Sequence, residues 1–107
     1  MKRLTAPELA AWLADPARDK PLLLDVREEW EFEHVSLPGS HHLPLGELPA
    51  GEPDLDPEQP VVCICHHGVR SLQAAAFLKH RGFGQVHDLI GGIDAWSREV
   101  DPGVARY

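Results

Sequence analysis

The chain has 107 residues, of which 43% are hydrophobic and 25% are charged, and its formal net charge is −7. This length suits one domain with one hydrophobic core. The excess of acid argues against a nucleic-acid partner, because no basic stripe is present to neutralise phosphates. No apolar run is long enough to span a membrane, and the first residues lack the core of a signal peptide. We therefore expect a single domain over residues 1–107 with neither nucleic acid nor membrane as a partner.

The first quarter of the chain predicts one helix and one strand. Thr5-Ala6-Pro7-Glu8 forms a capping box with proline in the first turn, which predicts a helix to about Ala14. Asp15-Pro16 ends that helix. The apolar run Leu22–Val26 is typical of a short strand that is buried on both faces.

Shorter elements follow up to residue 60. Residues 28–34 predict a short helix with an acidic start, and Leu37-Pro38-Gly39 predicts a turn before a short strand at 40–43. Residues 46–59 are rich in proline and acid, which predicts a surface loop with one helical turn at most.

The second half of the chain alternates strand and helix. Its predicted elements are a strand at 61–64, a helix at 69–80, a strand at 86–89, a helix that starts at Gly91-Gly92 and stops at Asp101-Pro102-Gly103, and a tail at 104–107. Such alternation implies an α/β sandwich around a mostly parallel sheet. Sites in these sheets form at the carboxyl ends of the strands, where Cys65 and the segment 25–27 lie.

The chain carries two cysteines, Cys63 and Cys65, separated by one residue. A strand holds residues two apart too rigidly for an easy disulfide. Free thiols in a reducing compartment are the simpler interpretation, which predicts a cytoplasmic location. Cys63 lies inside an apolar run and is assigned to the core, with a resolving thiol as the alternative.

Cys65 opens a compact loop between a buried strand and a helix. Successive backbone N–H groups of such a loop can converge on one point, and the helix N-terminus adds positive potential there. A thiol at that point is expected to react as the thiolate. We therefore predict that Cys65 is a nucleophile, and the alternative is a buried structural cysteine.

The rest of the loop is predicted to bind an anion around that sulfur. The backbone N–H groups expected to cradle the sulfur belong to His66, His67, Gly68, Val69, Arg70 and Ser71. Gly68 lets the backbone curl. The Arg70 guanidinium suits a forked anion, and an ion pair with an acid such as Glu31 is the alternative.

The side chains of His66, His67 and Ser71 can each be interpreted in two ways. Protonated, His66 or His67 would attract an anionic donor, and otherwise both face solvent and only their amides act. The Ser71 hydroxyl either bonds the sulfur weakly or belongs to the helix start.

Four motifs in order resemble those of the single-domain rhodanese family. They are Leu24-Asp25-Val26-Arg27; Glu31-Phe32 with Leu37-Pro38-Gly39-Ser40 and Leu43-Pro44; the loop Cys65–Ser71; and Gly91-Gly92-Ile93-Asp94-Ala95-Trp96. One departure is Val35-Ser36, where the family often has Gly-His. The resemblance implies a three-layer α/β sandwich with a central, mostly parallel five-stranded sheet flanked by helices.

The resemblance also implies a sulfurtransferase that carries a sulfane sulfur on Cys65 as a persulfide. The donor would be thiosulfate or another persulfide, and the acceptor a thiol, cyanide or a sulfur-carrier protein. Asp25, Arg27 and Glu31 would support the site rather than react. No metal or organic cofactor is expected.

Four alternatives remain open. A persulfide carrier in a protein-to-protein relay would use the same residues. A metal site at Cys63, Cys65, His66 and His67 fits no standard zinc spacing. A phosphatase or arsenate reductase resembles this loop but has five residues between cysteine and arginine, whereas four stand here. A non-catalytic interaction module of this kind typically lacks the cysteine.

Overall fold

A single parallel sheet organises the chain. The computed structural model describes residues 2–107. Its strands are β1 (Lys2–Leu4), β2 (Leu22–Asp25), β3 (His41–His42), β4 (Val61–Ile64) and β5 (Val86–Leu89). They lie in the order β1-β5-β4-β2-β3, and every neighbouring pair is parallel. The predicted mostly parallel five-stranded sheet is therefore confirmed.

Helices cover both faces of the sheet. They are α1 (Ala6–Ala14), α2 (Glu29–His34), α3 (Leu48–Gly51), α4 (Val69–His80) and α5 (Gly92–Glu99). One apolar cluster packs α1 and α5 against the sheet through Leu9, Trp96 and Val62. A second cluster packs α3 and α4 against the other face through Leu48, Leu78 and Cys63. The three-layer α/β sandwich that the resemblance implied is thus confirmed.

Local signals account for the start of α1. The hydroxyl of Thr5 accepts from the amide of Glu8 at 3.2 Å, and the Glu8 carboxylate accepts from the Thr5 amide at 2.8 Å. These two bonds satisfy amides that have no partner inside the helix. The predicted capping box is confirmed.

Three parts of the fold differ from the sequence prediction. Residues 2–4 form the edge strand β1, although their polar sequence carries no strand signal. The strand predicted at 40–43 is reduced to β3. The region predicted as a loop at 46–59 holds α3 between two short 3₁₀ helices, Leu45–Glu47 and Glu52–Asp54. The described residues, 2–107, contain no helix with the length and apolar character needed to cross a membrane.

Candidate active site

Cys65 lies immediately after β4, at the carboxyl edge of the sheet. Its Sγ accepts a hydrogen bond of 2.9 Å from the amide of Gly68, the one backbone amide within residues 2–107 that donates to this sulfur. Gly68 has φ of +104°, a left-handed conformation that glycine adopts without strain. The predicted curl of the loop is therefore present, and its contact with the sulfur comes from this one amide.

The start of α5 holds the Cys65 loop in shape. The amide of Ile93 donates to the carbonyl of Cys65 at 2.8 Å, and the amide of Asp94 donates to the carbonyl of His66 at 3.1 Å. A Cβ on Gly92 would lie 2.1 Å from the Cys65 carbonyl oxygen, so only glycine fits there. This support role of Gly92 was missed, although a double glycine soon after a strand is a signal for close backbone approach.

Ser71 connects the sulfur to a buried carboxylate. The Ser71 hydroxyl donates to Asp88 of β5, and the distance between Cys65 Sγ and Ser71 Oγ is 3.4 Å. A hydroxyl has a single hydrogen, so the oxygen faces the sulfur as an acceptor while Asp88 holds that hydrogen. Asp88 is buried and also binds Arg3 at 3.1 Å. Asp88 was not a predicted site residue, and no local motif marks it.

Arg70 forms the ion pair with Glu31 that the sequence left as the alternative to anion binding. Its two terminal nitrogens lie 2.5 and 2.8 Å from the two carboxylate oxygens. Hydrogen bonds from Arg70 lower the pKa of Glu31 to about 2, and the bonds to Glu31 raise the pKa of Arg70. The Arg70 side chain keeps 32% of its surface exposed, so the guanidinium still borders solvent beside the loop.

Asp25 and Arg27 form a fully buried ion pair next to this one. The Arg27 Nη2 atom lies 2.6 Å from Asp25 Oδ2, and Nε lies 2.9 Å from Oδ1. Burial opposes the charge on Arg27, but the hydrogen bonds with Asp25 and with Tyr107 leave the pKa of Arg27 raised. Arg27 also donates to the carbonyl of Val35 at 2.6 Å. The Val35-Ser36 segment, where the chain departs from the family pattern, therefore contacts the site through the backbone carbonyl of Val35.

Aromatic rings lie over the loop. The His66 ring stacks between His67 and Tyr107, with centroid separations of 3.9 Å on each side. Burial, followed by the proximity of His67, lowers the pKa of His66. Cys65 itself is only 1% exposed, so the sulfur lies beneath the surface of the described residues. The tail at 104–107 was not predicted to reach the site.

One group of side chains near the loop offers metal ligands. Donor atoms of His66, His67 and Asp94 lie within 4.8 Å of one another. Asp94 already forms ion pairs with Arg98 at 3.1 Å and Arg106 at 2.9 Å. Two guanidinium groups therefore already bind the one carboxylate of this group.

The second cysteine does not face this site as a reactive group. Cys63 is fully buried in β4 and packs in the cluster beneath α4. Burial raises the pKa of its thiol to about 12. Both cysteines are free thiols. Cys63 therefore lies in the core as predicted.

The parallel sheet and the cysteine loop at its carboxyl edge define a rhodanese-like α/β domain. The family model described as Rhodanese-like domain matches residues 5–99. The chain therefore belongs to the rhodanese-like family.

Relatives with known names or structures cover the chain to different extents. It is 38% identical over 112 residues to a rhodanese-like/PpiC domain-containing chloroplastic protein of Arabidopsis thaliana, and spans 38% of that protein's length. It is 34% identical to a sulfurtransferase of Allochromatium vinosum, covering 98% of this chain and 96% of the relative. A rhodanese-related protein of Thermoplasma volcanium superposes over the full length of both chains, with a TM-score of 0.85 and 30% identity.

Proposed function

We propose that the chain is a rhodanese-type sulfurtransferase that carries a sulfane sulfur on Cys65 as a persulfide. The observation that carries the proposal is the placement of Sγ at the end of β4, under the 2.9 Å hydrogen bond from the Gly68 amide. An N–H aimed at sulfur favours the anionic form of that sulfur. The sulfurtransferase relative, similar along almost all of its length, supports the same reaction class.

The first half-reaction loads the sulfur. The Cys65 thiolate attacks the outer sulfur of thiosulfate, the bond between the two thiosulfate sulfurs breaks, and sulfite leaves with the electron pair. The product is a Cys65 persulfide anion, so charge and atoms balance. Arg70, partly exposed beside the loop, is the group proposed to attract the donor anion. The amides of the loop from His66 to Ser71 are proposed to surround the added sulfur.

The second half-reaction unloads it. An acceptor thiolate or cyanide attacks the outer sulfur of the persulfide, and the Cys65 thiolate leaves. With cyanide the product is thiocyanate. Two half-reactions through one covalent intermediate predict ping-pong kinetics. No step requires a metal or an organic cofactor.

Intact mass after treatment with thiosulfate tests the proposal. We expect a gain of about 32 Da, one sulfur atom, that cyanide removes as thiocyanate. Cys65→Ala should show neither the gain nor the turnover. The matched control is Cys63→Ala, which removes the buried second thiol and should retain both. Sulfur transfer that persists in Cys65→Ala would overturn the proposal, and release of phosphate from an aryl phosphate would favour the phosphatase alternative.

A second candidate function is a persulfide carrier that passes sulfur between proteins. The specific observation is exposed apolar surface around the loop: Val69 is 69% exposed, Trp30 is 63% exposed and Ile90 is 38% exposed. Val69 follows Gly68, Ile90 precedes Gly91, and Trp30 contacts the Tyr107 ring edge-on. Clustered exposed apolar side chains are typical of protein contact sites.

The kinetics of the two donors separate these candidates. A carrier should accept sulfur from a protein persulfide faster than from thiosulfate. Val69→Ala removes the most exposed of these apolar side chains and keeps the backbone amide, and it should slow only the protein donor. Equal loss with both donors would contradict the carrier function.

We propose the cytoplasm as the compartment, which the two free thiols support.

A further inference from the structure

Tyr107 reaches back from the segment after α5 into the site. Its hydroxyl accepts a hydrogen bond from Arg27 Nη1 at 2.7 Å and donates to Glu31 Oε2 at 2.9 Å. Glu31 in turn holds Arg70. Tyr107 thus joins the two ion pairs that flank the loop, although it stands 76 residues or more from each partner in sequence.

The Tyr107 ring covers the residue next to the sulfur. It lies parallel to the His66 ring, with an interplanar angle of 6° and a centroid separation of 3.9 Å. Trp30 and His34 contact the same ring edge-on, at 5.9 and 5.6 Å. The ring therefore has three aromatic neighbours, and one of them is the residue that follows a cysteine that is almost wholly buried.

The segment that carries Tyr107 is attached to α5 at two points. The Ser97 hydroxyl donates to the carbonyl of Val104 at 2.6 Å, and Val104 is buried in the core. Arg106 pairs with Asp94 at 2.9 Å, and its own side chain is exposed. The segment 104–107 is therefore held by these two contacts and by the contacts of Tyr107, and it can leave its site locally when they break together.

We propose that Tyr107 gates Cys65: its ring, stacked on His66, closes the sulfur off from solvent, and its hydroxyl holds Glu31 and Arg27 in the closed arrangement. This inference rests on the proposed function only in taking Cys65 Sγ as the reacting atom. Reagents reach the sulfur when the segment 104–107 lifts. Tyr107 is a positioning residue in this scheme and does not touch the reacting atoms.

Alkylation by iodoacetamide measures the gate directly. The Cys65 thiolate displaces iodide from the reagent and forms a thioether, and no sulfur donor is needed. If the open state is populated at ~10% or less, Tyr107→Ala should raise the second-order rate constant at Cys65 at least about tenfold. Tyr107→Phe keeps the stacked ring and should stay closer to the unaltered protein.

Arg106→Ala tests the gate without touching the ring. It releases the segment from Asp94 and should also speed the alkylation of Cys65. The matched control is Arg98→Ala, which removes the other arginine on Asp94 and leaves the segment attached. Its rate should not change. Arg106→Ala also keeps the test available if Tyr107→Ala fails to fold.

Mass mapping of the alkylated site separates a gate from general loosening. A gate speeds labelling at Cys65 alone, whereas a loosened fold also exposes Cys63. Unchanged Cys65 rates in both Tyr107→Ala and Arg106→Ala, or equal labelling of the two cysteines, would overturn the gate. Thiocyanate formation is measured separately, so sulfur transfer can fail while the gate stands, and the gate can fail while sulfur transfer stands.

Discussion

Glu31 binds both terminal nitrogens of Arg70, at 2.5 and 2.8 Å, across 39 residues of sequence. The carboxylate comes from α2 and the guanidinium from the first turn of α4. The ion pair therefore connects α2, the helix that follows β2, to α4, the helix that follows the cysteine loop. Its two members have different exposure, since Glu31 is buried and Arg70 is in part open to solvent.

We expect this pair to make stability depend on pH. The folded-state pKa of Glu31 is about 2 against an ordinary value of 4.5, so its contribution is complete above 4.5. It is lost as the pH falls from 4.5 toward 2. The shift corresponds to at most about 3 kcal/mol. Urea unfolding at pH 7 and pH 3 measures a large part of this loss, because pH 3 lies between the two pKa values. Glu31→Gln should flatten this part of the profile. An unchanged acid dependence in Glu31→Gln would contradict the assignment.

We expect Arg70→Ala to raise the KM for thiosulfate about tenfold, the effect of one lost charge-assisted contact. Arg70→Lys should recover little, because an ammonium cannot bind both oxygens of Glu31 as the guanidinium does and still present further N–H donors to the anion. Steady-state kinetics with cyanide as acceptor measure both variants. Arg81→Ala is the control, since Arg81 follows the far end of α4 and pairs with Glu52. A KM in Arg70→Ala equal to that of the control would remove Arg70 from the donor site.

Gly92→Ala should destabilise the fold by at least about 2 kcal/mol and abolish sulfur transfer. The added Cβ would meet the Cys65 carbonyl at 2.1 Å, and φ of +58° disfavours any side chain. Thermal unfolding and persulfide formation measure the two effects. Gly46→Ala is the matched control because its Cβ meets nothing within 4 Å. Similar behaviour of the two variants would show that the close contact is not required.

Asp88→Asn should raise the rate at which Cys65 is alkylated at pH 7. Asp88 takes the only hydrogen of Ser71. In Asp88→Asn, Arg3 keeps the amide oxygen as its acceptor, so the new NH2 group faces Ser71 Oγ and donates to it, which frees the Ser71 hydrogen to bond the thiolate. The double variant Ser71→Ala/Asp88→Asn isolates the hydroxyl from the effect of the removed charge. It should be slower than Asp88→Asn alone. If the two variants react at equal rates, Ser71 does not bond the sulfur.

The local parts of the fold and site were predictable from the sequence. The capping box at Thr5–Glu8 and the strand-loop-helix around Cys65 depend on neighbours in the chain, and backbone preferences act over that range. The predicted bounds of α4, 69–80, agree with the structure. The order of the four motifs predicted the family, and the resemblance to that family predicted the five-stranded sheet.

The contacts that complete the site join distant residues, and local patterns do not carry them. Tyr107 meets Arg27 and Glu31, and Asp88 meets Ser71 and Arg3. Neither residue stands in a motif that marks it. Strand β1 was missed for a related reason, since an exposed edge strand takes its hydrogen bonds from β5 and needs no apolar run.

The bonds from Ile93 and Asp94 to the carbonyls of Cys65 and His66 determine how the reactivity of Cys65 changes as the protein is heated. They attach the reactive loop to α5, while β4 attaches it to the middle of the sheet. The loop is thus fixed by both β4 and α5, and it cannot move independently of the fold. Loss of nucleophilicity and loss of far-UV circular dichroism should follow one common temperature curve, in place of an early inactivation that precedes melting.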